Sequence, residues 1–328
     1  MINPFLFEEC THHIRLTLLG HQVLLAVDSP RVAEILAEAF SSSFFAPASD
    51  EPTMTFFCRT ECEGPWDMVM KFPDITFVSR SSRRRSHTHD LFRWSEGQIF
   101  PVGHFSYKNS NDLSSNPTRS EIFAAYFQRR VLDAVLKNNS PLRLIHGGSL
   151  AHHGSGVLLL AQSKGGKSTL VLASVLAGMQ FLSDDHTPVD LRQGLLYPFP
   201  RALRLRQGSC DMIPEFLGFS SGRELDPTGE TRYYIHPEIV RDHALGKPTK
   251  LTHIVKMNGF SKQAKVGPAN PADMAIYCAG ADFFPEPHKS LSLVWQWGDL
   301  IEGAKCASLQ VGHPLETAEL LKSFLEKK

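Results

Sequence analysis

No charge imbalance, no long apolar run and no dense cysteine pattern marks this chain, and each absence removes a class of function. Thirty-four Lys and Arg balance 34 Asp and Glu over 328 residues, so no whole-chain field draws it to nucleic acid or to an anionic membrane. The exception is local: Arg80 and Arg83-Arg84-Arg85 form a basic cluster that reads as a solvated loop tip. No apolar stretch approaches the roughly 18–20 residues that span a bilayer. Met1-Ile-Asn-Pro-Phe-Leu-Phe lacks the basic start and apolar core of a secretory signal. The six cysteines (Cys10, Cys58, Cys62, Cys210, Cys278, Cys306) are scattered, and only Cys58 and Cys62 lie close. With no second pair at zinc-site spacing they read as free thiols in a reducing compartment, and a cytoplasmic protein is the expectation. With 42% hydrophobic and 21% charged residues, disordered and fibrous classes drop out. No internal repeat is visible.

What is present is a phosphate-binding signature. Ala161-Gln-Ser-Lys-Gly-Gly-Lys-Ser-Thr169 follows the apolar run Gly156-Val-Leu-Leu-Leu160 and opens the helical pattern Thr169-Leu-Val-Leu-Ala-Ser-Val-Leu-Ala177. That is the strand–loop–helix context of a P-loop, in which backbone N–H groups converge on an anion at a helix N-terminus. Ser163, Lys164, Gly165, Gly166, Lys167, Ser168 and Thr169 are the expected binding residues. Lys167 is expected to reach the β- and γ-phosphates and Ser168 to ligate Mg²⁺. The first position of the pattern, normally glycine, is Ala161.

Around this loop the patterning predicts two domains. Residues 1–115 read as a small α/β domain. Ile14–Leu19 and Gln22–Asp28 form a hairpin, a helix capped by Ser29 and Pro30 runs to Phe40, and strands follow at 53–59 and 75–79. The polar segment Ser106–Ser120 is the expected boundary. Residues 120–328 form the second domain, opening on an amphipathic helix at 120–138. Leu142–Ala151 reads as one strand, hairpinned through His152–Gly156, with His152 and His153 as exposed turn residues, into the strand before the loop. Gly178 caps the loop helix, and Met179–Ser183 is a strand ending in Asp184-Asp185. Further strands are expected at 195–197, 202–206, 251–257, 291–295 and 306–311, with a terminal helix at 315–326. Gly218–Lys250, rich in Gly, Pro and charge, reads as a loop or lid.

An isolated Asp-Asp is most simply an exposed turn. One helix after a P-loop, at a strand end, Asp184 and Asp185 become candidates for holding Mg²⁺ and for accepting a proton from an attacking hydroxyl. His146, in an apolar strand, is most simply a packed residue, but the hairpin returns it toward the phosphate end. Arg204 and Arg206 alternate on one face of a strand and read as surface charge on an edge strand.

Arg143-Leu-Ile-His-Gly147, Gly156–Ser163, Gly166-Lys-Ser-Thr-Leu170 and Phe181-Leu-Ser-Asp-Asp185 together resemble the HPr kinase/phosphorylase superfamily. The likeness is nearer to the HPr-kinase-related proteins that lack the full regulator architecture. It covers residues 140–210 well. Two family glycines are replaced, by Ala161 and Lys164, and the C-terminal signature tied to reverse phosphorolysis is not recognisable. The resemblance implies an α/β fold whose P-loop core is built on a mixed sheet, as in phosphoenolpyruvate carboxykinase, beside the smaller N-terminal domain. It further implies an ATP- and Mg²⁺-dependent kinase acting on a serine hydroxyl. Lys167, His146, Asp184 and Asp185 would be catalytic, Ser168, Asp184 and Asp185 would hold metal, and Arg204 and Arg206 would help hold phosphate. The expected partners are ATP and a protein or peptide serine, or a small hydroxyl metabolite, in a homo-oligomer without nucleic acid or membrane. A non-catalytic nucleotide-binding regulatory or assembly protein is the alternative; a carboxykinase-like metabolic enzyme lacks a matching metal-binding His/Lys set.

Overall fold

Alternation around the turn at Leu19 gives two strands, β1 (His12–Leu18) and β2 (His21–Val27), paired antiparallel in a computed structural model of the protein. The structure describes residues 10–19, 21–27, 30–40, 128, 131–132, 135–136, 142–199, 201–225, 230–283 and 290–326, together with strand backbone at 54–58, 68–71, 76–82, 87–95 and 98–107. The arginine cluster at 83–85, Ser29 and Cys62 fall outside them, as does the expected linker from 108 onward.

The chain divides into two units, Met1–Asn139 and Ser140–Lys328. In the first, helix α1 (Pro30–Ala39) carries the chain from β2 across to β3 (Met54–Cys58), which therefore pairs parallel to β2. The strands β4 (Met68–Lys71), β5 (Thr76–Ser82), β6 (His87–Ser95) and β7 (Gln98–Tyr107) then add antiparallel in chain order, making a seven-stranded sheet. Helical residues at 128, 131–132 and 135–136 fall in this unit, with Val131, Leu132 and Val135, part of the expected apolar face, and Leu136 all buried.

The second unit is built on a nine-stranded mixed sheet. It opens with β8 (Leu142–Ile145), β9 (Gly148–His152) and β10 (Ser155–Leu160), followed by helix α2 (Lys167–Leu176). Next come β11 (Gln180–Ser183), β12 (Thr187–Asp190), β13 (Leu195–Leu196) and β14 (Leu203–Arg206). After helix α3 (Gln207–Met212) lie β15 (Ser220–Leu225), β16 (Thr231–Ile235) and the short helix α4 (Pro237–Val240). The chain ends with β17 (Thr249–Phe260), β18 (Lys265–Pro268), α5 (Pro271–Gly280), α6 (Ser290–Glu302), β19 (Lys305–Val311) and α7 (Pro314–Glu326). The sheet order is β11-β9-β10-β17-β13-β12-β8, with β19 and β18 joined along β17.

β10 is apolar at every position from 157 to 160 because both of its faces are covered. Val157 and Leu159 pack under α2 and α7 with Leu170, Val171 and Leu321. Leu158 and Leu160 pack under α5 and α6 with Met274, Trp297 and Ile301. β9 runs antiparallel to both β10 and β11, so those two strands are parallel to one another with β9 between them. The strand preceding the glycine loop and the strand preceding Asp184-Asp185 therefore end at the same sheet edge, where β9 begins. α2 closes with a left-handed Gly178 (φ +96°), its N–H bonding to Val175 O and that of Met179 to Ser174 O. This is a Schellman stop and bears out the expected cap.

Four expectations are corrected. Leu142–Ala151 is not one strand: the backbone breaks at His146-Gly147, and β8 pairs with β12 instead of joining the hairpin. Leu291–Trp295 is helix, because Leu293, Trp297 and Ile301 recur every four residues and share the buried face, a period hidden in a five-residue window. Gly218–Lys250 is not a plain loop: it contains β15, β16 and α4, and β14-β16-β15 make a separate three-stranded sheet. His152 is buried rather than exposed.

Gly148 shows how tightly α2 sits on this sheet. A Cβ there would lie 2.7 Å from Val171 Cγ2 and 3.4 Å from Lys167 Cγ. Gly148→Ala is expected to lift the start of α2 and to destabilise the protein by about 1–3 kcal/mol, the usual range for overpacking. A urea denaturation midpoint equal to wild type would refute this.

Candidate functional site

The loop between β10 and α2 turns on two left-handed residues, Lys164 (φ 66°) and Gly166 (φ 81°). Gly166 is the N-cap of α2 and offers no side-chain cap, so the first N–H groups of the helix are left to the loop cavity. A Cβ on Gly165 would fall 2.9 Å from Gln162 O, and one on Gly166 3.1 Å from the Phe260 ring. Ala161, at the pattern's first position, points into the core and is 4% exposed, so its methyl group stays out of the cavity. Lys164 holds a conformation that costs an L-residue roughly 1–2 kcal/mol. Lys164→Gly is accordingly expected to raise stability by about 1 kcal/mol, read from the urea midpoint, and an unchanged or lower midpoint would count against it.

At the shared sheet edge the expected residues meet. Lys167 Nζ lies 3.2 Å from Asp184 Oδ1 and 2.5 Å from Asp185 Oδ1. Ser168 Oγ donates to Asp184 Oδ2 at 2.7 Å. Asp185 takes a left-handed backbone (φ 66°) in the turn between β11 and β12, which brings its carboxylate to 3.8 Å from both His146 Nδ1 and Arg201 Nη2. Asp184 is buried, whereas Asp185 is 40% exposed and opens onto the cavity. The break at His146-Gly147, not a hairpin return, is what puts His146 here, since it immediately precedes β9.

The cavity is about 440 Å³. His146, Ser163, Lys164, Gly165, Gly166, Lys167, Ser168, Thr169 and Asp185 line one side, and Arg204, Arg206, Ser209, Glu230 and Arg232 the other. Arg204 and Arg206 lie on the edge strand β14 and line the cavity. Five cations (Lys164, Lys167, Arg204, Arg206, Arg232) face it against two carboxylates (Asp185, Glu230), an excess that suits a polyanion. Glu230 bridges Arg206 Nη1 at 2.6 Å and Arg232 Nη2 at 3.1 Å. Thr169 meets Ser209, 2.7 Å between hydroxyls, and ties α2 to α3. Arg232, Glu230 and Ser209 were missed because they belong to the segment read as a lid or to the unpredicted α3. Phe260 was missed too: it is 65% exposed at the end of β17, behind the left-handed Gly259.

Burial alone disfavours the Lys167 ammonium, but the Asp184 and Asp185 carboxylates outweigh it and hold its pKa above the ordinary lysine value. Burial likewise works against the Asp185 carboxylate, yet Lys167 first, then Arg201 and His146, hold its carboxyl down at about 2. Its unfolded pKa is about 3.9. The stability it contributes is therefore full above about pH 4 and is lost as pH falls through about 2. The melting-temperature gap between wild type and Asp185→Asn is expected to close along that interval; a gap constant down to the lowest pH would contradict the pairing.

Ser168 Oγ and the two carboxylates make an all-oxygen donor set, hard in the sense that suits Mg²⁺ with one or two carboxylates and phosphate oxygens. The residues fit the ion that the sequence resemblance implies.

No protein-family model and no curated protein matches this chain. Among solved structures it is similar to the Hpr(Ser) kinase/phosphatase from Coxiella burnetii, at 13% identity and a TM-score of 0.28, over 56% of this chain and 95% of that one. That likeness is distant. Cys210, Cys278 and Cys306 are free thiols, and no helix among the described residues is long and apolar enough to cross a membrane.

Proposed function

We propose that residues 140–328 act as an ATP- and Mg²⁺-dependent phosphotransferase that moves the γ-phosphoryl group to a hydroxyl, with a serine of a protein or peptide as acceptor. The observation that carries this reading is the Lys167 ammonium, buried at the mouth of a glycine loop and shared by two carboxylates of different exposure. Phosphoryl transfer demands positioning and charge neutralisation more than covalent chemistry. The loop N–H groups and Lys167 serve the phosphates, while Arg204, Arg206 and Arg232 supply positive charge across the cavity. Bound Mg²⁺, held by Ser168 and Asp184, would offset phosphate charge.

Asp185 is the carboxylate that opens onto the cavity, and it takes the acceptor role. It orients the hydroxyl and receives its proton as the bond from the γ-phosphorus to the leaving ADP oxygen breaks and the bond to the acceptor oxygen forms. His146 and Arg201, both 3.8 Å from it, keep it ionised and aimed.

The test has two stages. ATP with Mg²⁺ is expected to raise the melting temperature, and inorganic tripolyphosphate to do so in part. γ-labelled ATP is then expected to label serine-containing peptides or a co-purified protein. Absence of any thermal shift would remove the nucleotide reading. A shift without transfer to any protein, peptide or small hydroxyl acceptor would reduce the protein to a nucleotide binder.

A further inference from the structure

The sheet edge opposite the glycine loop carries a second cluster of donor atoms. There the β9–β10 hairpin turns through His153 (φ 47°) and Gly154 (φ 79°), a two-residue turn with both central residues left-handed. The turn lets His152 and His153, which would point to opposite faces of a continuous strand, lie ring against ring with centroids 4.1 Å apart. Glu326, the last residue of α7, meets them: its Oε1 is 2.8 Å from His152 Nε2. One ligand atom from each of the three side chains lies within 4.8 Å of the others.

We propose that His152, His153 and Glu326 form a binding site for a divalent transition metal of the zinc class. Two imidazoles and one carboxylate are a borderline nitrogen–oxygen set, suited to Zn²⁺ over Mg²⁺ or Ca²⁺, and three protein ligands leave a position for water. Zinc–ligand bonds of about 2.0–2.2 Å set donor–donor separations of roughly 3.3–3.6 Å, so the His152–Glu326 pair, at 2.8 Å, must part slightly, and any separation near the 4.8 Å limit of the cluster must shorten by roughly 1 Å. The exposed side chains of His153 and Glu326 supply that movement by rotation.

The anchors are stiff. His152 is 7% exposed, and next to Glu326 the Leu325 side chain is buried in the core. Lys322 Nζ donates to Ala177 O at 2.9 Å, which fastens α7 to the C-terminal end of α2. An ion here would pin the C-terminal helix to the hairpin, roughly 20 Å from the glycine loop at about 3.3 Å per residue of β10. The site stands independently of the proposed transfer chemistry.

The full chain, free of any affinity tag and stripped with a chelator, is titrated with Zn²⁺ by calorimetry and with Co²⁺ by absorption. One Zn²⁺ per chain is expected, with a Co²⁺ spectrum lacking a thiolate charge-transfer band. Loss of even an outer partner of a metal ligand costs about 10–100-fold in affinity, so His153→Gln and Glu326→Gln are each expected to weaken binding at least about tenfold. Both side chains are exposed, and a matching metal-free melting curve shows that each variant is folded. Undiminished Zn²⁺ binding in the His153→Gln/Glu326→Gln double variant, a thiolate band, or no Zn²⁺ uptake by wild type would each overturn the site.

Discussion

Lys167→Ala is expected to abolish the ATP-dependent rise in melting temperature and to lower phosphoryl transfer by at least about a thousandfold, the scale on which a phosphate-stabilising cation acts. The same substitution is expected to cost stability in the absence of nucleotide. Asp184 is 4% exposed, and loss of Lys167 leaves its carboxylate with the Ser168 hydroxyl as side-chain partner. Breaking a buried pair by removing one member costs about 3–5 kcal/mol, because the surviving charge is left uncompensated. The two effects separate in a double variant. Lys167→Ala/Asp184→Asn removes the orphaned charge and is expected to recover part of the stability but none of the activity, a coupling that a double-mutant cycle reads directly. Retention of the wild-type ATP shift in Lys167→Ala would remove Lys167 from the phosphate site.

How far the site was legible in the sequence follows from how local its parts are. The glycine loop, Lys167, Ser168 and the Asp pair lie within 25 residues, in an order that one strand, one turn and one helix impose. Reading them needed only the knowledge that a strand end faces a helix start. His146 was placed correctly for the wrong reason. A continuous strand from 142 to 151 would carry it in the sheet, whereas the actual break at Gly147 moves β8 against β12 and leaves His146 where β9 begins. The far wall of the cavity was opaque because Glu230 and Arg232 are brought in by pairing of β14 with β16, across a segment whose glycines and prolines read as loop. Leu291–Trp295 failed for a different reason: alternation over five residues and a helical period of four are indistinguishable until Trp297 and Ile301 are counted. Long-range pairing decides both the arginine wall and the strand order, and sequence patterns carry little of it.

The remaining large effect distinguishes the two carboxylates. Asp184 is buried and bonded to Ser168 Oγ at 2.7 Å, the pair proposed to hold Mg²⁺. Asp185 faces the cavity with His146 and Arg201 beside it. Asp185→Asn is therefore expected to lower kcat by about 10²–10⁴, the contribution of a positioned general base, while leaving the KM for ATP within about threefold of wild type. Asp184→Asn is expected to raise the Mg²⁺ concentration needed for half-maximal rate as well as lowering kcat, because it removes a metal-side oxygen. Lys167 links the two. In the free protein its ammonium holds the Asp185 carboxyl at about 2, a poor base. If bound phosphate draws the ammonium away, Asp185 keeps only Arg201 and His146, and on the proposed mechanism its basicity is expected to rise. The pH profile of kcat is then expected to carry an acid limb at a higher pH than the acid limb of folding stability, and Asp185→Asn to erase the first. Equal losses of kcat and metal dependence in both variants would collapse the division of labour into a single shared role.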